Sequence, residues 1–327
     1  MVEKRSNHAL NANPDVFHYP THSDINITTH GSDVYWAITA LMAFATICFV
    51  ALSFRVPRSK RIFHYITAAI TMTASVAYFT MASNLGYAAI IQEFQRNDPV
   101  VRGVYREIFY VRYIDWVVTT PLLLLDILLT AGLPWPTILY TIFLDELMII
   151  TGLVGALVAS SYKWGYFVFA MVALFGIAYN IVFVGGKHAK ALGTEVNKVY
   201  WLCGGITTFL WFFYPIAWGL SEGGNVISGD SEAVFYGVLD VLAKIGFGVA
   251  LLAGHRNIDP AQLGLHIRDY DEQPTTYSEK DTLGHNNNAV QNGGLNVSAA
   301  TATHSNNPAN DAAFASTGTH PVNSSVV

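Results

Sequence analysis

Seven stretches of this chain stay apolar over about the thickness of a bilayer, and short polar segments separate them. Their approximate bounds are 33–55, 62–84, 104–129, 136–159, 164–185, 198–220 and 232–254. Each is near the ~20 residues that a hydrocarbon core requires. A lone span in lipid must satisfy its own backbone hydrogen bonds, so each is predicted to be an α-helix. The breaks fall at Pro57, at Gly132 with Pro134, at Gly185–Gly186 and at Gly223–Gly224, residue types that punctuate regular structure. The pattern predicts an all-α membrane protein, a bundle of seven transmembrane helices. It also sets three regions: an N-terminal segment over 1–32, the helical domain over 33–256 and a tail over 257–327.

Composition agrees. The chain is 52% hydrophobic and 13% charged, about half the ~25% charge of soluble proteins. A net charge of -5 argues against a nucleic-acid partner and leaves membrane lipid as the surroundings. Cys48 and Cys203 fall inside predicted helices and read as buried apolar residues, with no disulfide framework and no metal spacing. The stretch up to Gly31 lacks an apolar core and does not read as a cleaved signal peptide. From about Asp259 the chain turns polar, and its Ser/Thr/Ala/Asn run to Val327 is expected to be disordered.

Basic residues orient the bundle. Arg55, Arg58, Lys60 and Arg61 lie in the first loop, Lys187, Lys190 and Lys198 in the fifth, and Arg256 follows the last helix. Odd-numbered loops and the C-terminus are therefore expected in the cytoplasm and the N-terminus outside, across a plasma membrane. Arg96, Arg102 and Arg106 in the second loop count against this, offset in part by Glu93, Asp98 and Glu107. On that orientation Asn26-Ile27-Thr28 is an outer glycosylation sequon, whereas those at Asn296 and Asn323 lie on the cytoplasmic tail and go unused.

The anomalies are charges inside spans. Lys244 sits in the middle of the apolar run Phe235–Ala253, too deep to snorkel to a headgroup. Asp240 lies one turn before it on the same face. Two readings stand: an amine held dry for covalent chemistry with a carboxylate counter-ion, or a structural ion pair. Helix three carries Asp115 and Asp126, eleven residues and so about 16 Å apart on one face. Thr119 and Arg112 complete that stripe. Each charge costs roughly 2.5–3.5 kcal/mol near a span centre, and intramembrane carboxylate rows are the hardware of proton relays. Asp115, near Arg112 and a buried amine, is expected to be ionised. Asp126, alone among Leu122–Leu125, is expected to rest protonated. Carboxyls separated in this way make an acceptor and a donor. Pro121 reads as a kink that a bundle tolerates.

At these residues the chain resembles the microbial rhodopsins, most closely the fungal proton-pumping group near Leptosphaeria rhodopsin. Three strings carry the likeness: Arg112-Tyr113-Ile114-Asp115-Trp116 with Thr119-Thr120-Pro121 and Asp126; Trp211, Tyr214-Pro215 and Trp218; and Val238-Leu239-Asp240-Val241-Leu242-Ala243-Lys244. It covers about 33–256. The resemblance implies that Lys244 carries all-trans retinal as a protonated Schiff base. Asp115 would accept the proton, Asp240 would be the second counter-ion, and Arg112 would gate the exit. Trp116, Thr120, Leu123, Met148, Gly152, Trp211, Tyr214, Pro215 and Trp218 would wall the chromophore. Tyr78 would hydrogen-bond the counter-ion cluster and Asp145 another helix. Phe167 stands where bacteriorhodopsin has a Trp beside the ring, a departure that bears on colour and packing. The triplet Asp115, Thr119, Asp126 is that of a proton pump, with Asp126 as donor. Glu222 and Glu232 match the proton-release pair of bacteriorhodopsin, or are ordinary charges at helix ends.

The resemblance thus implies a light-driven outward proton pump, not an enzyme. A photosensor on the same fold is the alternative. The reading also leaves room for a homo-oligomer and for an unknown partner of the tail. A light-gated channel is disfavoured by Asp126 and the Leu122–Leu125 wall. A receptor coupled to G proteins is disfavoured by the short loops, and an unrelated transporter by the lack of inverted repeats.

Overall fold

The structure, a computed structural model, describes residues 23–92 and 103–265. Among these are seven helices long and apolar enough to cross a membrane: α1 (Thr29–Ser53), α2 (Ile62–Ala82), α3 (Tyr110–Thr130), α4 (Trp135–Leu157), α5 (Lys163–Ala191), α6 (Thr194–Gly223) and α7 (Gly229–Asn257). Large apolar side chains such as Phe44, Ile47, Phe169 and Val172 point outward, the surface that lipid covers. The most enclosed helix is α3, with 67% of its apolar window buried against 28% for α1, α4 and α5. The stripe of charges therefore sits in the middle of the bundle.

One end of the bundle carries Arg55–Arg61 and is called here the basic end. At the other, β1 (Ala88–Ile91) and β2 (Tyr105–Ile108) form an antiparallel hairpin, with Ala89 opposite Glu107 and Ile90 opposite Arg106. Residues 104–109 are thus not the start of helix three, as the sequence predicted. They pair with β1, the Glu107 N–H bonds the Ile25 carbonyl at 2.9 Å, and α3 begins only at Tyr110. Arg106 and Glu107 are buried, so they are not exposed loop charges that bear on orientation.

The first helix starts at Thr29, four residues before the sequence-predicted bound. Thr28 caps it, accepting from His30 N at 3.2 Å. The Asp230 carboxylate at the start of α7 accepts from the Thr28 N–H at 2.7 Å and the Gly31 N–H at 3.1 Å. An anion here satisfies orphan donors at a helix N-terminus, and it ties α1 to α7. Asn26 of the sequon is exposed.

Gly185–Gly186 does not break the fifth helix. The chain passes through a π-helical turn over Asn180–Gly185 and continues to Ala191, so Lys187 and Lys190 lie on the helix and not in a loop. The glycine is there for close approach: a Cβ at Gly185 would collide with the Tyr200 hydroxyl, which donates to the Ile181 carbonyl at 2.6 Å. Gly132, at φ +61°, turns α3 into α4.

The described residues just beyond α7 pack against the bundle. Ile258, Pro260 and Leu263 are buried. Asp259 accepts from Lys60 at 2.9 Å, which holds its carboxyl below the usual range, and Gln262 donates to the Leu192 carbonyl at 3.1 Å. Residues 1–22, the second-loop positions Glu93, Arg96, Asp98, Pro99 and Arg102, and the tail from 266 with Asn296 and Asn323 lie outside the described residues.

Candidate functional site

Helix α7 places Lys244 inside a π-helical turn of its own, Val241–Gly246. Such turns insert one residue into the helical ladder and re-aim the side chains around it. Lys244 is 1% exposed, which excludes snorkelling. Its Nζ lies 2.9 Å from Asp115 Oδ2 and 3.0 Å from Asp240 Oδ1. The sequence-predicted amine and both of its carboxylates thus come together at the centre of the bundle.

The two carboxylates differ in their other partners. Asp240 also accepts from the Tyr78 hydroxyl at 2.6 Å and the Tyr214 hydroxyl at 2.7 Å. Among the described residues, Asp115 Oδ1 has no hydrogen-bond partner. Thr119 donates to the Asp115 backbone carbonyl at 2.9 Å.

From Lys244 an apolar cavity runs between the helices. Trp116, Thr120 and Leu123 line it from α3, Met148 and Gly152 from α4, Phe167 from α5, and Trp211, Tyr214, Pro215 and Trp218 from α6. Every wall residue named from the sequence is there; Tyr78 lies against Asp240, in the counter-ion cluster where the resemblance put it. Sequence reasoning missed Tyr113, Ile149, Ala170, Met171, Leu174, Tyr236 and Ala243. Phe167 stacks on Trp218 with centroids 5.2 Å apart. Thr120 donates to Asp145 at 2.7 Å and joins α3 to α4. One primary amine and two carboxylates at one end of an aromatic, otherwise apolar cavity fit a long conjugated aldehyde such as retinal.

Toward the hairpin end lies a buried ionic cluster. Arg112, which the sequence placed near Asp115, forms its ion pairs here with Glu222 and Glu232. Its guanidinium is 2.6 Å from Glu232 and 3.2 Å from Glu222, donates to the Tyr35 hydroxyl at 2.9 Å, and lies 4.1 Å from the centroid of the Tyr236 ring. Arg106 reaches Glu232 at 2.6 Å from the hairpin. Ser221, Tyr113 and Tyr236 donate to Glu222. Lys163 donates to the Glu222 carbonyl at 2.8 Å. Glu222 and Glu232 are both buried, so they are not ordinary surface charges at helix ends. Beside them, burial pushes the Glu107 carboxyl up to about 8, with Glu232 adding to the shift and the Ile27 N–H and Arg106 opposing it.

Toward the basic end Asp126 is fully buried, and neither carboxyl oxygen has a hydrogen-bond partner among the described residues. Its neighbours along α3, Leu123, Leu124 and Ile127, belong to one buried apolar cluster.

The chain matches the family model described as bacteriorhodopsin-like protein over residues 30–258. It is 58% identical over 297 residues to the opsin-like protein carO of Fusarium fujikuroi, covering 90% of this chain and 96% of that one. Among solved structures it is similar to the light-driven proton pump LR (Mac) of Leptosphaeria maculans. That match has 38% identity and a TM-score of 0.68, and covers 72% of this chain and 98% of the other. The light-driven proton pump CsR of Coccomyxa subellipsoidea matches at 41% identity and TM-score 0.67, covering 71% and 99%.

Proposed function

The chain belongs to the bacteriorhodopsin-like family of microbial rhodopsins, integral membrane proteins that bind retinal, and on that premise we propose that it is a light-driven outward proton pump. The basic end faces the cytoplasm, and the hairpin end with the N-terminus faces outward, across the plasma membrane. All-trans retinal held at Lys244 Nζ would supply light absorption and a light-triggered loss of the proton at that nitrogen.

The chain's own residues set the direction. Asp115 takes the proton, because it lies 2.9 Å from Nζ and its Oδ1 is free to accept. Asp240 has less accepting capacity to spare, because three donors already hold it. Arg112, bonded to Glu222 and Glu232, couples the protonation of Asp115 to the outer cluster, from which a proton leaves. Asp126 returns a proton to Nζ from the opposite side, and the leucines around it exclude water.

The observation that carries this reading is Asp126, a fully buried carboxyl with no hydrogen-bond partner among the described residues, set on the far side of the amine from the ionic cluster. A buried carboxyl without partners is stable only as the neutral acid, which is the state a donor needs. A photosensor would not need it. The test is the pH of an unbuffered suspension of cells that express the protein, supplied with all-trans retinal and illuminated. Acidification that a protonophore abolishes is expected. A coloured protein that moves no protons would overturn the pump and favour the photosensor.

A further inference from the structure

The donor reading leaves a question: how Asp126, sealed from water, regains a proton from the cytosol. We propose that His255 and Thr130 form the relay that recharges Asp126, with His255 taking up the cytosolic proton and the Thr130 hydroxyl passing it inward. This rests on the donor role proposed for Asp126.

Three observations carry it. His255 is half-buried at the basic end, whereas Thr130 and Asp126 are fully buried, so the three run from the surface inward. His255 Nδ1 lies 2.8 Å from the Leu251 carbonyl, and Nε2 lies 3.1 Å from Thr130 Oγ1. Thr130 Oγ1 in turn donates to the Asp126 backbone carbonyl at 2.7 Å. Thr130 stands one turn from Asp126 on the same face of α3.

The hydrogen inventory of this chain of contacts is specific. A carbonyl carries no proton, so Nδ1 must carry one. With a neutral ring, Nε2 is then an acceptor, and the Thr130 hydroxyl must turn its hydrogen toward the ring. With an imidazolium, Nε2–H donates, and the hydroxyl is free to point its hydrogen along α3. The same heavy-atom positions serve both protonation states, with the hydroxyl reversing direction between them.

The step balances without a co-reactant. The imidazolium gives its Nε2 proton to Thr130 Oγ1 as the hydroxyl proton passes to the Asp126 carboxylate. The ring then takes a proton from the cytosol. Threonine in a helix occupies two side-chain rotamers, and Asp126 has two oxygens without partners to receive the hydroxyl.

The neighbours favour exchange over a fixed charge. Phe63 of α2 packs against the imidazole, with centroids 4.2 Å apart. The titratable group that acts on His255 from the same helix is His64, with Arg61 near it. On the α7 side, Arg256 is exposed and Asp259 is paired with Lys60. From α6, Cys203 lies beside Asp126. No carboxylate is hydrogen-bonded or ion-paired to His255 among the described residues, so nothing traps a proton there.

The test uses the full chain in lipid vesicles, with time-resolved infrared detection of the Asp126 carboxyl band after a flash. In His255→Gln and Thr130→Val, the return of that band slows roughly tenfold. This is less than the ~100-fold of a positioned acid, because water carries part of the flux. Thr130→Ser keeps the parent rate, and added imidazole speeds recovery in His255→Ala. In the dark, 15N NMR shows the titration of the His255 ring shifted by Thr130→Val. Recovery unchanged in both His255→Gln and Thr130→Val overturns the relay, and so does slowing in His255→Gln alone, which would make the ring only a packing element. A parent protein whose Asp126 band never moves overturns the donor role instead. An unshifted dark titration overturns the His255–Thr130 coupling whatever the light reaction does.

Discussion

Asp115 and Asp240 flank the same ammonium at 2.9 and 3.0 Å, but only Asp240 is also held by two tyrosine hydroxyls. The residue with spare accepting capacity is therefore Asp115, and the proposed roles follow from that difference.

Asp115→Asn removes the acceptor and one of the two charges facing Lys244. Outward transport is expected to vanish and the absorption maximum to move to the red. Illuminated cells and a dark spectrum check both. Normal pumping by this variant would mean that the acceptor lies elsewhere.

Tyr78→Phe and Tyr214→Phe each delete one donor to a buried carboxylate. An acceptor left short of a partner costs about 1–3 kcal/mol. Each variant should therefore lose its colour at a lower temperature than the parent, by several degrees, and the double variant lower still. Thermal bleaching in the dark measures this.

Arg106→Gln cuts the 2.6 Å pair with Glu232 in a region that is 1% and 4% exposed at the two side chains. Breaking a buried pair by removing one partner costs about 3–5 kcal/mol. The remaining bond from Arg112 at 2.6 Å should place the loss at the lower end. Chemical unfolding of the parent and the variant gives the number.

Glu107 sets a pH dependence. Its carboxyl, pushed up to about 8 mainly by burial, keeps its proton in the folded protein at pH values where the unfolded chain has lost it. Between about 4.5 and 8 the folded state therefore binds more protons, and its stability falls as pH rises through that window. It levels off above. Glu107→Gln should remove this slope and raise the thermal midpoint at pH 9 relative to the parent, with little change at pH 5. Parallel melting curves for parent and variant across that range would overturn the assignment.

Much of this architecture was legible in the sequence, because lipid makes charge conspicuous. Lys244, Asp240, Asp115 and Asp126 stand out as residues that an apolar span carries at a cost, and i,i+4 spacing already joins Lys244 to Asp240. Arg106, Tyr35 and Lys163 gave no such signal. A charge or a tyrosine at the end of a span is ordinary. Arg106 meets Glu232 across 126 positions of chain and Arg112 meets Tyr35 across 77, with no periodicity to link them. The hairpin was misread because Tyr105–Ile108 runs straight into α3 with no Gly or Pro between. The π-helical turns at Asn180–Gly185 and Val241–Gly246 leave the hydropathy of their helices unchanged. Gly185–Gly186 was taken for punctuation, when the role of its small residues is to admit Tyr200 and Trp201.

The packed stretch after α7 bears on where this protein can be cut and joined to another. A fusion partner attached directly after Asn257 would discard Pro260 and Leu263, uncover the backbone turn at Gly132 that Leu263 sits against, and release Lys60 from Asp259. A junction placed after Leu265 keeps that seal. Reporter proteins and vesicle tethers should therefore be spliced on the far side of Leu265.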